Sequence, residues 1–228
     1  MASRKKGKGE ISLEDAYALT TPEQNKTLYD KWAPTYDAEF VADDYVYPRI
    51  VAEYLATLIE ADEQLSVCDI GCGTGAIGEH FARLRPLCEI EGVDISPQMI
   101  AQASTKMRDD GTPVYKEFHE INLAKPIYFA QSIYDFMVSA GTFTLGHLGA
   151  SDMLAISRVL KPLGIACVGI NKQHFEQHGF RPVIAEAVEE RFITQPEYVE
   201  VDIYGPSSEH HGDKAIIAVF GRPSLQND

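Results

Sequence analysis

Asp69-Ile70-Gly71-Cys72-Gly73-Thr74-Gly75 follows a β-rich run over 65–70 and opens a helical stretch over 75–84. A strand, a glycine loop and a helix in that order are what a nucleotide-binding loop needs. Glycines permit the tight turn and let the backbone come close to a ligand. Asp94 closes the next β-rich run, 89–95, where a carboxylate can accept hydrogen bonds from both hydroxyls of a ribose. Two chemistries compete for the loop. Gly71, Gly73 and Ala76 satisfy G-x-G-x-x-G/A, the dinucleotide pattern. Against it, Asp69 stands just before the loop. An anion there opposes a pyrophosphate but suits an ammonium group, directly or through a neighbouring amide. No Tyr-x-x-x-Lys pair occurs in the chain, which removes one common reductase mechanism.

Outward from the loop, β-like and helical segments alternate. Residues 96–107 read as a helix with Ser96 as N-cap and Pro97 at its first position. Residues 114–121 and 134–140 read as strands, 151–160 as a helix, 161–164 as a turn, 165–170 as a strand and 178–192 as a helix. Two further β-like runs, 198–204 and 214–221, can form an antiparallel edge. Alternation from 65 to 191 predicts an α/β fold with a mostly parallel sheet and helices on both faces. Upstream, residues 11–61 carry apolar residues at helical spacing. No internal repeat or long linker is visible, so a single domain is expected over 11–228, with a helical cap over 11–61 and a core over 62–228.

Composition narrows the partners. The 228 residues carry 34 acids against 20 bases, a formal charge of −14. Residues 1–10 hold four of the bases and one acid, which leaves 16 bases and 33 acids, or −17, in the body. So acidic a body disfavours nucleic acid. The basic start has no apolar stretch behind it, so it reads as a disordered tail rather than a secretory signal. No apolar run reaches membrane-spanning length. Cys68, Cys72, Cys88 and Cys167 form no C-x-x-C pair and show no zinc-finger spacing. They read as reduced, mostly buried thiols, which predicts a cytoplasmic protein.

Four stretches together resemble the class I S-adenosylmethionine-dependent methyltransferases: VCDIGCGTGAIG (67–78), GVDISPQMI (92–100), YDFMVSAGTF (134–143) and RVLKPLG (158–164). They cover roughly residues 65–170. LYDKWAPTYDAEF, SAGTFTLGH and HFEQHGF look closest to the methyltransferase-like family of the Williams–Beuren chromosomal region. The resemblance implies a three-layer Rossmann-like sandwich whose seven-stranded, mostly parallel sheet has the order 3-2-1-4-5-7-6, with an antiparallel last strand. It also implies S-adenosyl-L-methionine as cofactor and S-adenosyl-L-homocysteine as product. In such enzymes Gly71, Cys72, Gly73, Thr74 and Gly75 would hold the methionine part, with Asp69 behind them. Asp94 would bind the ribose, and Ile95 and Met99 would pack on the adenine. Asn122, before Leu123, stands where the family commonly has an acid that contacts the adenine amino group, with Glu120 the alternative. Ser139 and Ala140 would sit beside the sulfonium. Trp32 and Tyr36 are candidates either for a cap over the cofactor or for core packing.

Methyl transfer from a sulfonium requires no metal, and none is expected here. The protein must align the acceptor and, where the acceptor loses a proton, provide a base. His147, after the fourth strand, is the foremost base candidate. Tyr36, Thr142 and Tyr204 are weaker polar candidates. His210 and His211 border either a substrate mouth or an exposed hairpin loop. SAGT replaces the Asn-Pro-Pro-Tyr/Phe signature of planar-nitrogen methylation. The expected acceptor is therefore a neutral or cationic small molecule, with a basic protein segment as the alternative. A monomer or homodimer is expected. A non-catalytic module that senses the cofactor, an aminopropyltransferase and a nucleotide-dependent oxidoreductase are the competing readings.

Overall fold

Alternating β and α segments become one seven-stranded sheet in the order β3-β2-β1-β4-β5-β7-β6. The computed structural model describes residues 11, 15–16, 18–125 and 131–224. The tail expected over 1–10 lies outside the described residues. Helices α1 (Pro22–Ala42) and α2 (Tyr47–Thr57) precede the sheet. The Rossmann-like part follows as β1 (Ser66–Ile70), α3 (Ala76–Leu84), β2 (Glu89–Asp94), α4 (Pro97–Ala103), β3 (Glu117–Glu120), β4 (Tyr134–Phe143), α5 (Ala150–Ile156), a 3-10 turn (Ser157–Val159) and β5 (Leu160–Asn171). Then come α6 (Lys172–Gln177), α7 (Phe180–Glu189), β6 (Glu197–Asp202) and β7 (Lys214–Gly221). β1 to β5 pair in parallel, and β7 runs antiparallel to both β5 and β6.

Local chemistry explains the boundaries. Thr21 and Gln24 form a reciprocal capping box at the start of α1, with Pro22 in the first turn. Ser96 caps α4 by accepting the Met99 amide at 3.1 Å. The helix ends at Ala103, earlier than the spacing predicts, and Met107 instead bridges to Pro113. The expected turn over 161–164 is a bulge inside β5: pairing with β4 slips between Leu160 and Ile165, and Leu163 sits at φ +67°. β4 runs three residues beyond the predicted 134–140.

The sheet separates two apolar layers. Val51, Leu55, Ile77 and Phe81 of α2 and α3 pack with Ile90 and Val138 on one face. Met153, Ile156, Phe180 and Ile184 of α5 and α7 pack with Cys68, Met137 and Val168 on the other. Each fully buried side chain of this size contributes about 1.5–3 kcal/mol. All four cysteines are free and buried. No helix among the described residues is long and apolar enough to cross a membrane.

Candidate functional site

The glycine loop lies at the C-terminal ends of β1 and β2. Gly71, Gly73 and Gly75 have φ of +65°, +53° and +87°, a region that side-chain-bearing residues rarely adopt. A Cβ on Gly71 would lie 2.0 Å from Thr142 Oγ1, so the end of β4 rests directly on the loop. A Cβ on Gly73 would meet nothing within 4 Å. That position is a backbone cradle open to the cleft.

Asp94 ties the cradle together. Its Oδ2 accepts the Gly73 amide and its Oδ1 the Ser96 amide, both at 2.9 Å. Burial raises its pKa and these amide bonds pull it back down. Each carboxylate oxygen keeps a further lone pair for a ligand.

A cleft enclosing about 720 Å³, part of it open to solvent, runs along these strand ends. Eight predicted residues line it: Gly71, Gly73, Asp94, Ile95, Met99, Asn122, Leu123 and His147. Thr142, read from the sequence as a weaker candidate, also lines it and donates to the Ile70 carbonyl at 3.0 Å. Asn122 Oδ1 already accepts the Ala124 amide at 3.0 Å, closing a local turn. Glu120 lies outside the wall in an ion pair with Lys26 at 2.5 Å.

The other predicted residues are turned elsewhere, for identifiable reasons. Asp69 is fully buried. Its Oδ2 accepts the Tyr115 hydroxyl at 2.7 Å, and that hydroxyl accepts the Gly78 amide. Asp69 Oδ1 meets no hydrogen-bond donor among the described residues, and burial pushes the carboxyl pKa up to about 7 against the Tyr115 bond. Cys72 packs into the core beside Gly92, where burial raises its thiol pKa well above the ordinary value. Thr74 is buried and donates to Asp37 of α1, and Gly75 caps α3. Ser139 is buried and donates to the Ile70 carbonyl at 2.7 Å, while Ala140 packs on the core. Because β4 is longer than predicted, Gly141 and Thr142 stand at the cleft where Ser139 and Ala140 were expected.

Helix α1 connects the cleft to its surroundings through two faces. Lys26, Asp30 and Asp37, at helical spacing, hold the strand ends. Lys26 Nζ donates to the Ile95 carbonyl at 3.0 Å, Asp30 accepts the Ser96 hydroxyl at 2.6 Å, and Asp37 takes Thr74 together with Lys106. Tyr29, Trp32, Tyr36 and Phe40 form the second stripe, with successive ring centroids 6.1, 5.1 and 4.2 Å apart. Trp32 is buried and its indole N–H donates to Glu39 at 2.9 Å. Neither Trp32 nor Tyr36 lines the cleft. Burial raises the pKa of Tyr36 well above its ordinary value.

His147 sits where the stripe meets the cleft. Its Nδ1 is 2.9 Å from the Leu145 carbonyl, which can only accept, so Nδ1 carries the proton. Nε2, 3.1 Å from the Tyr29 hydroxyl, is then the acceptor of that O–H. Burial lowers the histidine pKa, partly offset by the Leu145 bond. The ring is a neutral base at pH 7.

A second cavity adjoins the first. Its walls include Tyr29, Trp32, Phe40, Tyr45, Tyr47 and Tyr204, and it shares Tyr29 and Gly141 with the cleft. His210 is half-buried with its ring 5.2 Å from Tyr204, whereas His211 is exposed. Asn25, Tyr29 and Gly141 were not expected at the cleft, and of the second cavity's wall only Trp32 and Tyr204 were among the expected candidates. The i, i+3, i+7, i+11 spacing of aromatics in α1 was the available signal. Away from both cavities, Glu91, Glu117 and His119 form the one described group with metal-ligand spacing, and Glu91 is already engaged by Tyr134 and His119.

A family model described as a methyltransferase domain matches residues 61–195. The chain belongs to that family. Human methyltransferase-like protein 27 is 24% identical over 155 residues, 67% of this chain and 60% of its own length. That similarity agrees with the resemblance read from the sequence. Malonyl-[acyl-carrier protein] O-methyltransferase of Priestia megaterium is 23% identical over 140 residues, 61% of this chain and 48% of its own. The chain thus spans between about half and three fifths of the length of these curated relatives. Among solved structures, the [4+2]-cyclase SpnF superposes with a TM-score of 0.65 at 16% identity, over 90% of this chain and 99% of that one. Magnesium protoporphyrin IX methyltransferase of Synechocystis with bound S-adenosylmethionine gives 0.54 at 18%, over 76% of this chain and 79% of that one. At such identities the likeness shows a shared fold.

Proposed function

We propose that this chain transfers a methyl group from S-adenosyl-L-methionine to a small-molecule acceptor. The observation that carries the reading is the convergence on one cleft of the Gly71–Gly73 cradle, the Asp94 carboxylate and a neutral His147. A second orphaned atom supports the fit. Asn25 Oδ1, on a residue that lines the cleft, is buried without a hydrogen-bond donor among the described residues. It can accept from an exocyclic amino group, a role the sequence suggested for Asn122, whose own oxygen is engaged. In this reading Gly71 and Gly73 hold the methionine part by backbone contact, Asp94 accepts the ribose hydroxyls, and Ile95, Met99 and Leu123 pack on the adenine. When bound, S-adenosylmethionine supplies an electrophilic methyl group for in-line displacement.

His147 and Tyr29 manage the proton. The acceptor's hydroxyl gives its proton to the Tyr29 oxygen while Tyr29 passes its own to His147 Nε2. General-base help of this kind is worth about 10²–10⁴ in rate. The pKa of His147 is lowered from 6.5, so the base stays unprotonated at neutral pH and the rate should fall only as pH drops below that range.

The test is release of S-adenosylhomocysteine when the protein, S-adenosylmethionine and fractionated metabolites are combined. Acceptor-dependent release is expected, reduced about 100-fold or more in His147→Ala, with cofactor affinity retained. Cofactor binding without turnover in any fraction would favour the sensor module instead.

A further inference from the structure

The second cavity has the composition of a binding site for a flat ring. Six aromatic side chains border it, and Tyr45 bridges its two ends, with ring centroids 4.6 Å from Phe40 and 5.3 Å from Tyr204. Aromatic walls favour offset or edge-to-face contact with a planar guest. They also suit a cation, so charge must decide. None of the cavity's described lining residues is acidic. The carboxylates carried on the adjoining segment are engaged elsewhere: Glu39 by the Trp32 indole, Asp43 by Ser208 and Asp44 by Ser207. A cation would find no carboxylate on the described wall itself.

One polar group stands out. Tyr47 is buried, yet its hydroxyl has no hydrogen-bond partner among the described residues. It lies against Gly169, where a Cβ would come within 2.1 Å of the hydroxyl oxygen. Glycine there is what makes room for a phenol rather than a phenyl ring. An unpaired buried hydroxyl costs stability that Phe would avoid, so its presence points to a partner that arrives with a ligand. The cavity meets the main cleft at Tyr29 and Gly141, beside His147.

We infer that this cavity is the acceptor site and takes an uncharged, hydroxyl-bearing aromatic small molecule, oriented by a hydrogen bond to the Tyr47 hydroxyl. The assignment rests on the S-adenosylmethionine reading of the adjoining cleft. A quaternary ammonium guest is the rejected alternative.

Trp32 is the chain's one tryptophan and lines the cavity, so a single indole N–H resonance reports what enters. The experiment titrates p-cresol and, separately, tetramethylammonium into the ¹⁵N-labelled full chain, with and without S-adenosylhomocysteine. We expect a saturable indole shift with p-cresol and none with tetramethylammonium. Tyr47→Phe should weaken p-cresol about tenfold while its Tm holds or rises, since no protein hydrogen bond is lost. That pairing of weaker binding with undiminished stability is not what a structural hydroxyl produces. An unmoved indole, tighter binding of tetramethylammonium, full p-cresol affinity in Tyr47→Phe or a lowered Tm would each overturn the assignment. Failure of S-adenosylhomocysteine to bind would instead strike the cofactor reading, independently of the p-cresol result.

Discussion

The two cavities that meet at Tyr29 are built on opposite principles. The main cleft presents backbone: Gly71 and Gly73 in left-handed conformations, held by a carboxylate 21 residues beyond Gly73. The second cavity presents side chains, gathered from α1, the segment before α2 and its first residue, and the stretch after β6. A backbone site demands glycine at fixed points of a short loop, so it writes a local signature. A side-chain site assembles residues that each read singly as core. The first is therefore specified by one heptapeptide and one aspartate, the second only by the folded whole.

The largest expected effect separates the two. Asp94→Ala removes ligand hydrogen bonds and also frees the Gly73 and Ser96 amides, so S-adenosylhomocysteine affinity should fall by about 100-fold or more. Tyr47→Phe should leave that affinity unchanged. Calorimetry on both variants checks this, and equal losses would merge the two sites into one.

Next comes the loop itself. Gly71→Ala meets both a left-handed φ and the Thr142 side chain, and should cost about 3 kcal/mol or more of stability in urea unfolding. Gly73→Ala meets open space and should cost only the conformational part, about 1–2 kcal/mol. Equal costs would mean that β4 does not rest on the loop.

A smaller effect depends on pH. The Asp69 pKa is raised from 3.8 to about 7, so the folded state holds a proton that the unfolded state releases. The stability linked to this group is fully present below about pH 4. It is lost as pH rises through 7, at up to about 1.4 kcal/mol per pH unit. Asp69→Asn should flatten that slope in urea unfolding between pH 5 and about 7.5. An unchanged slope would assign the titration to another group, with Asp94 the nearest alternative.

The mostly parallel sheet, the glycine loop with Asp94 and the capped start of α4 were legible because each rests on local pattern, while the strand order and the rest of the eight cleft-wall residues came from the family resemblance. What escaped was set by distance or by one-residue geometry. Asp69 faces Tyr115 rather than the cleft, and Tyr115 is 46 positions away. His147 takes its partner from Tyr29, 118 positions earlier. Ser139 turns inward because β4 continues to Phe143, which moves the cleft-facing position to Gly141 and Thr142. The turn expected over 161–164 became a bulge because Leu163 accepts a left-handed conformation at the surface.

Equilibrium binding to the unmodified chain tests the central claim most directly. In calorimetry, S-adenosylhomocysteine should bind at one site per chain and NAD should give no heat of binding. Binding of NAD without binding of S-adenosylhomocysteine would contradict the account, because the Gly71–Gly73 cradle and Asp94 would then serve a dinucleotide.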